Sequence, residues 1–276
     1  MRLGYNTNGL AFHRWSEGLE LLADIGYESV AITIDHHCLD PYGAGLPHEV
    51  ERMAGLLSRL GLASVVETGA RFLLNPRVKH EPTLMSPTSD ERSLRIDFLK
   101  RAVDIACDLG SDAVSFWSGT LREPLSPEAA MSRLADGCRQ VIDHASARNM
   151  RLAFEPEPGM FIDTFAQFEK LLEKIDNSAF GLTIDIGHVH CIEQGAIADY
   201  LRHWKRRLYN VHIEDMCRGV HEHLRFGDGE IDFGSVMQAL GEIGYAGGVH
   251  VELSRHSHVA PEVARESFDF LQRFCR

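Results

Sequence analysis

The 276-residue sequence has no apolar run approaching the roughly 18–20 residues that span a bilayer. Its opening, Met1-Arg2-Leu3-Gly4-Tyr5-Asn6, has no signal-peptide pattern. Both absences lead to the expectation of a soluble, cytoplasmic protein with no membrane partner. No Cys-x-x-Cys pair occurs: Cys38, Cys107, Cys138, Cys191, Cys217 and Cys275 are scattered along a chain too long to need disulfide staples. They read as reduced, mostly buried thiols. Positive charge is in deficit, with 28 Lys+Arg against 40 Asp+Glu and a formal net charge of −12. Affinity for phosphate backbones comes from Lys and Arg, so no nucleic-acid partner is expected, although a local basic groove stays compatible with the count. A G-x-G-x-x-G turn is also missing after the first strand candidate. Gly4-Tyr5-Asn6-Thr7-Asn8-Gly9 has the wrong spacing, which weakens the case for a doubly wound open sheet.

What is present is ordinary globular composition, 44% hydrophobic and 25% charged, patterned in strict alternation. Short β-branched or apolar runs near 2–7, 29–35, 63–68, 113–118, 151–155, 181–185, 209–213 and 248–253 read as strands. Helical periodicity falls near 16–25, 47–60, 90–109, 127–148, 163–175, 194–206, 232–243 and 260–274. Ser16, Ser126-Pro127, Asp163 and Asp232 supply start signals, and Gly26, Gly61, Gly110 and Gly244 supply stops. Eight strand–helix units in about 250 residues are the size of a (β/α)8 TIM barrel. No linker divides the chain, so one domain over 1–276 is expected. The connection at 69–90, with Pro76, Pro82 and Pro87, would sit at the C-terminal mouth as a lid, a partner-binding loop or a plain surface loop.

A barrel strand sends alternate side chains outward to the helices and inward to the axis, so parity identifies the residues that converge. In the fifth candidate strand Leu152 and Phe154 leave Glu155 inward. In the sixth, Leu182, Ile184 and Ile186 leave Thr183 and Asp185; in the seventh, Val211 and Ile213 leave Asn210 and His212. In the eighth, Val249, Val251 and Leu253 leave His250 and Glu252. Glu155, Asp185, His212 and Glu252 therefore meet at one end of the barrel. Three carboxylates packed together repel strongly unless a positive charge neutralises them, and a divalent cation is the simplest candidate. One imidazole with three carboxylates is a hard, oxygen-rich set suited to Mn²⁺, Mg²⁺ or Co²⁺, with Zn²⁺ also compatible.

Further groups surround this set. His188, three residues after Asp185, is placed to reach a metal or a substrate oxygen. The segment 221–232, with His221, His223, Arg225 and its paired glycines, reads as a mouth loop whose backbone approaches a ligand. Fifteen histidines are present, and nine of them follow residue 185. Arg218 offers a fixed positive charge for a substrate oxygen or phosphate. Glu67 ends the third strand candidate as a mouth ligand or a structural carboxylate. Trp117 ends the fourth as a stacking wall for a sugar face or as core. Glu157 falls on the loop after Glu155.

Phe154-Glu155-Pro156, Ile184-Asp185-Ile186-Gly187-His188, Val211-His212-Ile213-Glu214-Asp215, the 227–232 run and His250-Val251-Glu252-Leu253 resemble successive strand-end motifs of the xylose-isomerase-like TIM-barrel superfamily. That superfamily includes sugar and sugar-phosphate isomerases and epimerases, inosose dehydratases and endonuclease IV. The resemblance implies that Glu155, Asp185, His212 and Glu252 hold one divalent metal, typically Mn²⁺. It also implies that Glu155 and Glu252 exchange the proton next to a carbonyl through a metal-stabilised enediolate, while His188 touches a small sugar or polyol ketone. Arg218, His223, Glu67 and Trp117 are the further substrate-binding expectations. An inosose-dehydratase-like or glycoside-eliminating lyase is the alternative. A multinuclear phosphodiesterase like endonuclease IV is a second, and a non-catalytic sugar-binding barrel a third. His221 and His223 match the endonuclease's His-x-His-like segment and are candidates for a second metal or for substrate. That protein's histidines at the ends of strands three and four are replaced here by Glu67 and Trp117. A homodimer or homotetramer is implied by the same analogy.

Overall fold

The computed structural model describes residues 1–275. Eight parallel strands close into a barrel: β1 (Arg2–Asn6), β2 (Ser29–Thr33), β3 (Ala63–Glu67), β4 (Val114–Phe116), β5 (Leu152–Phe154), β6 (Phe180–Asp185), β7 (Leu208–Ile213) and β10 (Gly248–Val251). The barrel closes where β1 pairs with β10 on one side and β2 on the other. Between the strands lie α1 (Trp15–Ile25), α2 (Leu46–Leu60), α3 (Ser89–Leu109), α4 (Pro127–Ser146), α5 (Phe165–Leu172), α6 (Ile186–Ile192), α7 (Ile197–Trp204) and α8 (Phe233–Glu242), with α9 (Ala260–Gln272) after β10. This is the expected (β/α)8 architecture. No helix of the described residues is long and apolar enough to cross a membrane.

The helices form because their apolar residues recur at helical spacing. In α4, Ala130, Met131, Leu134, Ala135, Cys138, Val141, Ile142 and Ala145 form one buried face that packs toward the barrel. Thr88 and Glu91 start α3 with a reciprocal capping box. Most of the core lies between barrel and helices. Phe154, Phe168 and Phe180 lie fully buried with ring centroids 5.7 Å apart, and Trp204 closes on Phe168 at 5.4 Å. Inside the barrel the apolar filling is small, consisting of Ala31, Val65, Ala113 and Ala153. Small side chains there leave axial space for polar groups.

Three expectations are corrected. The segment from 186 to 206 holds two helices, α6 and α7, rather than one beginning at 194, because Asp185 caps a helix start immediately after β6. The region read as an irregular mouth loop begins as an antiparallel ribbon, β8 (Asp215–Cys217) with β9 (Val220–Leu224). Val220, His221 and Glu222 in it are exposed, so no apolar alternation announces a strand. Of the six cysteines, Cys38 and Cys138 are buried, Cys107, Cys191 and Cys217 are half-buried and Cys275 is exposed. The 69–90 connection folds over the mouth: it buries Thr83, Leu84, Met85 and Ser86 and turns Arg71, Lys79 and His80 toward the cavity.

Candidate metal centre and cavity

Strand register levels the proposed ligands. His212 on β7 pairs with Asp185 on β6 and with His250 on β10. Glu155 and Glu252 follow β5 and β10 directly. One ligand atom from each of Glu155, Asp185, His212 and Glu252 lies within 4.8 Å of the other three. His212 Nδ1 faces Glu155 Oε1 at 3.1 Å and Glu252 Oε2 at 3.0 Å. The four residues brought together by parity thus converge at the C-terminal mouth.

Burial and mutual proximity set the protonation of these groups against one another. Burial pushes the Glu155 carboxyl up to about 8 against the pull of His212, with Glu252 and Asp185 adding to the rise. Burial would raise Glu252 too, but His212, His223 and His188 outweigh it and hold this carboxyl well below its ordinary value. Asp185 is likewise held below its usual value, because His188 and His223 outweigh burial. His212 is disfavoured as a cation by burial, yet Glu67, Glu155 and Glu252 drive its pKa well above the ordinary imidazole value. The imidazolium is the positive charge that the carboxylates have available, and a divalent ion would take its place. Two observations fit such an ion. The donor set is three hard carboxylates and one imidazole. In addition, Asp185 Oδ2 is buried without a hydrogen-bond partner among the described residues.

Glu214 shares the inward parity of His212 but lies one residue past the end of β7 and was not among the expected ligands. It is wholly buried, both oxygens lack a donor, and burial together with the neighbouring Asp185 charge drives its pKa well above the ordinary value. One Glu214 oxygen, one Asp185 oxygen and one His223 nitrogen lie within 4.8 Å of one another.

The cavity above the cluster measures about 250 Å³. His188, His221, His223, Glu67 and Trp117 line it as expected, and so does Glu157, which burial and the charges of Glu155 and Glu252 push up to about 8. His188 is carried down to about 4 by burial, so it is neutral, and its Nε2 lies 3.0 Å from His221 Nε2. His223 donates from Nδ1 to the Glu252 carbonyl at 3.0 Å. Trp117 is almost fully buried, with the Arg95 guanidinium over its ring at 4.7 Å and the His80 edge against it. Arg218 stands apart: its guanidinium donates to the Glu193 carbonyl at 2.7 Å, and it does not line the cavity. The arginines that do line the cavity are Arg71 and Arg255; Arg71 reaches the Asn8 carbonyl at 3.2 Å, while Asn8 Nδ2 donates to Glu252 Oε1 at 2.7 Å. Nothing in the local sequence pattern marks Asn8, Arg71 or His80 as a site residue. They arrive through barrel closure and the mouth loop.

A closed parallel barrel with an acidic, histidine-rich mouth defines a class, and residues 19–274 match the xylose isomerase-like TIM barrel family. The chain belongs to that family. It is 24% identical over 254 residues to L-ribulose-5-phosphate 3-epimerase UlaE of Salmonella typhi, covering 91% of this chain and 87% of that protein. Among solved structures, the apo form of 3-keto-D-glucoside 4-epimerase, YcjR, from E. coli superimposes with a TM-score of 0.80 at 16% identity, covering 99% of each chain. The IolI protein with a bound zinc atom superimposes with a TM-score of 0.77 at 18% identity, again over 99% of each. These two structures share the fold.

Proposed function

We propose that this chain is a divalent-cation-dependent sugar or sugar-phosphate epimerase or isomerase that moves a proton on the carbon next to a carbonyl. The observation that carries the reading is the convergence of Glu155, Asp185, His212 and Glu252 within 4.8 Å beneath a polar cavity. Those four residues would hold one cation, Mn²⁺ by preference, with Mg²⁺, Co²⁺ or Zn²⁺ also matched to the donors. When bound, the ion polarises a carbonyl oxygen and stabilises negative charge next to it.

The residues divide the proton work. Glu252, held ionised and steadied by Asn8, is the base. Glu155, the acid on the other side of the set, is the group that returns a proton, through the oxygen it does not give to the cation. Return from the opposite face inverts the carbon; return to the neighbouring carbon isomerises aldose and ketose. His188, His221, His223 and Glu157 face substrate oxygens, and Trp117 offers an aromatic wall to the sugar's C–H face. The likeness to L-ribulose-5-phosphate 3-epimerase along most of both chains supports epimerisation of a ketose or ketose phosphate. A second reading, a site with more than one cation, rests on the ligand atoms of His188, His221 and His223, which also lie within 4.8 Å of one another.

The test is incubation of the Mn²⁺-loaded protein with ketoses, ketose phosphates and inososes in deuterated water, followed by NMR, alongside metal analysis. Exchange of one C–H without net elimination supports the proposal, and loss of a hydroxyl or glycosyl group assigns a lyase. Failure to bind any of the four ions defeats the reading. Stoichiometry above one ion per chain favours the second.

A further inference from the structure

We propose that Glu67 is a positioning residue for His212, and that it ends a buried chain of hydrogen bonds, Ser29–His250–Asn210–Glu67, that orders the protons at the cation site. The inference rests on His212 being a cation ligand.

His212 presents its two nitrogens to different neighbours. Nδ1 faces Glu155 and Glu252, whereas Nε2 lies 2.9 Å from Glu67 Oε1. A cation among the three acids needs the lone pair of Nδ1, so the ring's one remaining proton must sit on Nε2 and be donated to Glu67. Asn210 Nδ2 is 3.1 Å from both Glu67 Oε1 and His212 Nε2. With Nε2 protonated the amide has only Glu67 of these two to donate to, which turns its oxygen toward β10. There Asn210 Oδ1 accepts from His250 Nδ1 at 2.9 Å. His250 then has its lone pair on Nε2, where the Ser29 hydroxyl donates at 2.9 Å. The acceptor-only Glu67 carboxylate thus sets the donor roles from Asn210 to Ser29, and the cation sets that of His212.

The barrel is built around this chain. Ser29, Asn210 and His250 are fully buried, and His212 and Glu67 nearly so. A Cβ added at Gly4 would come within 2.3 Å of the His250 ring, and one at Gly248 within 2.2 Å. The two glycines therefore admit an imidazole to an axis whose apolar filling is only alanine and valine. A ligating histidine whose second N–H is held by a carboxylate is fixed in tautomer and orientation and made more basic, and losing that carboxylate typically weakens metal binding by about 10–100-fold. Glu67 also touches the cavity, so a substrate contact is the competing assignment.

The experiment measures Mn²⁺ affinity by calorimetric titration for the wild type, Glu67→Ala and Glu67→Gln. Ala should weaken binding by about 10–100-fold, and Gln, whose amide oxygen still accepts, by much less. A Glu67→Ala protein that binds Mn²⁺ as the wild type does, with or without a raised KM for a sugar, overturns the proposal. A wild type that binds no ion overturns the functional reading and this inference with it. A measurement free of mutation is the ¹⁵N-histidine NMR spectrum of the Zn²⁺-loaded wild type. The expected tautomers carry the proton on Nε2 of His212 and on Nδ1 of His250. A His250 protonated on Nε2 overturns the proton order.

Discussion

Asp185 caps the helix that carries His188: its Oδ1 accepts the His188 backbone N–H at 2.9 Å while its Oδ2 has no hydrogen-bond partner among the described residues. One carboxylate thus has a structural oxygen and an oxygen free for a ligand. The two roles are separable by substitution, because asparagine caps helices about as well as aspartate. Asp185→Asn is expected to hold thermal stability within about 1 kcal/mol of the wild type, whereas Asp185→Ala loses the cap at a cost of about 1 kcal/mol more. Both should weaken Mn²⁺ binding beyond the roughly 10–100-fold typical of losing a supporting residue. Thermal melts and metal analysis on the same preparations check both halves.

Cation binding should release protons. In the cation-free chain His212 is held protonated by Glu67, Glu155 and Glu252, and burial pushes Glu155 up to about 8. Both must deprotonate to ligate, so protons compete with the ion and apparent affinity rises with pH between about 6 and 8, by up to about tenfold per unit for each proton displaced. Calorimetry in two buffers of different ionisation enthalpy counts the protons. Equal heats in both buffers would contradict the assignment.

The core and the site should respond independently. Phe168 on α5 is fully buried in the layer between barrel and helices, with rings of Phe154 and Phe180 at 5.7 Å and Trp204 at 5.4 Å. Phe168→Ala is expected to cost about 3–5 kcal/mol by chemical denaturation while leaving Mn²⁺ affinity of the folded fraction unchanged.

The mouth loop is seated on a glycine. Gly119 has φ +89°, and an added Cβ would stand 2.2 Å from Thr83 Oγ1. Gly119→Ala therefore strains the backbone, at about 1–3 kcal/mol, and displaces the segment around Thr83. The expected signature is faster proteolysis within 69–90 and a raised KM, with metal affinity retained. Unchanged cleavage would show that Thr83 yields without moving the loop.

Much of the site was legible before any fold was known, because alternation along a strand is a local property. Once Val211 and Ile213 face the helices, His212 must face the axis, and the same parity places Glu155, Asp185 and Glu252. What parity does not carry is the identity of a partner. Asn8 and Glu252 are 244 positions apart and meet because β1 closes on β10. Glu67 stood in the sequence as a mouth carboxylate, and only the crossing of the barrel interior set it behind His212. Arg218 and Arg71 look alike as isolated arginines; the ribbon of β8 and β9 turned one to the Glu193 carbonyl, and the 69–90 loop brought the other to Asn8.

The sequence by itself determined the element order, the barrel class and the inward set of ionisable groups, since periodicity and helix signals act over a few residues. Tertiary structure alone decided which groups touch, which nitrogen of His212 faces the acids, and that Glu214 is buried beside Asp185. The physical reason is that hydrogen bonding and desolvation depend on distances across the barrel, and these are set only when all eight strands have closed.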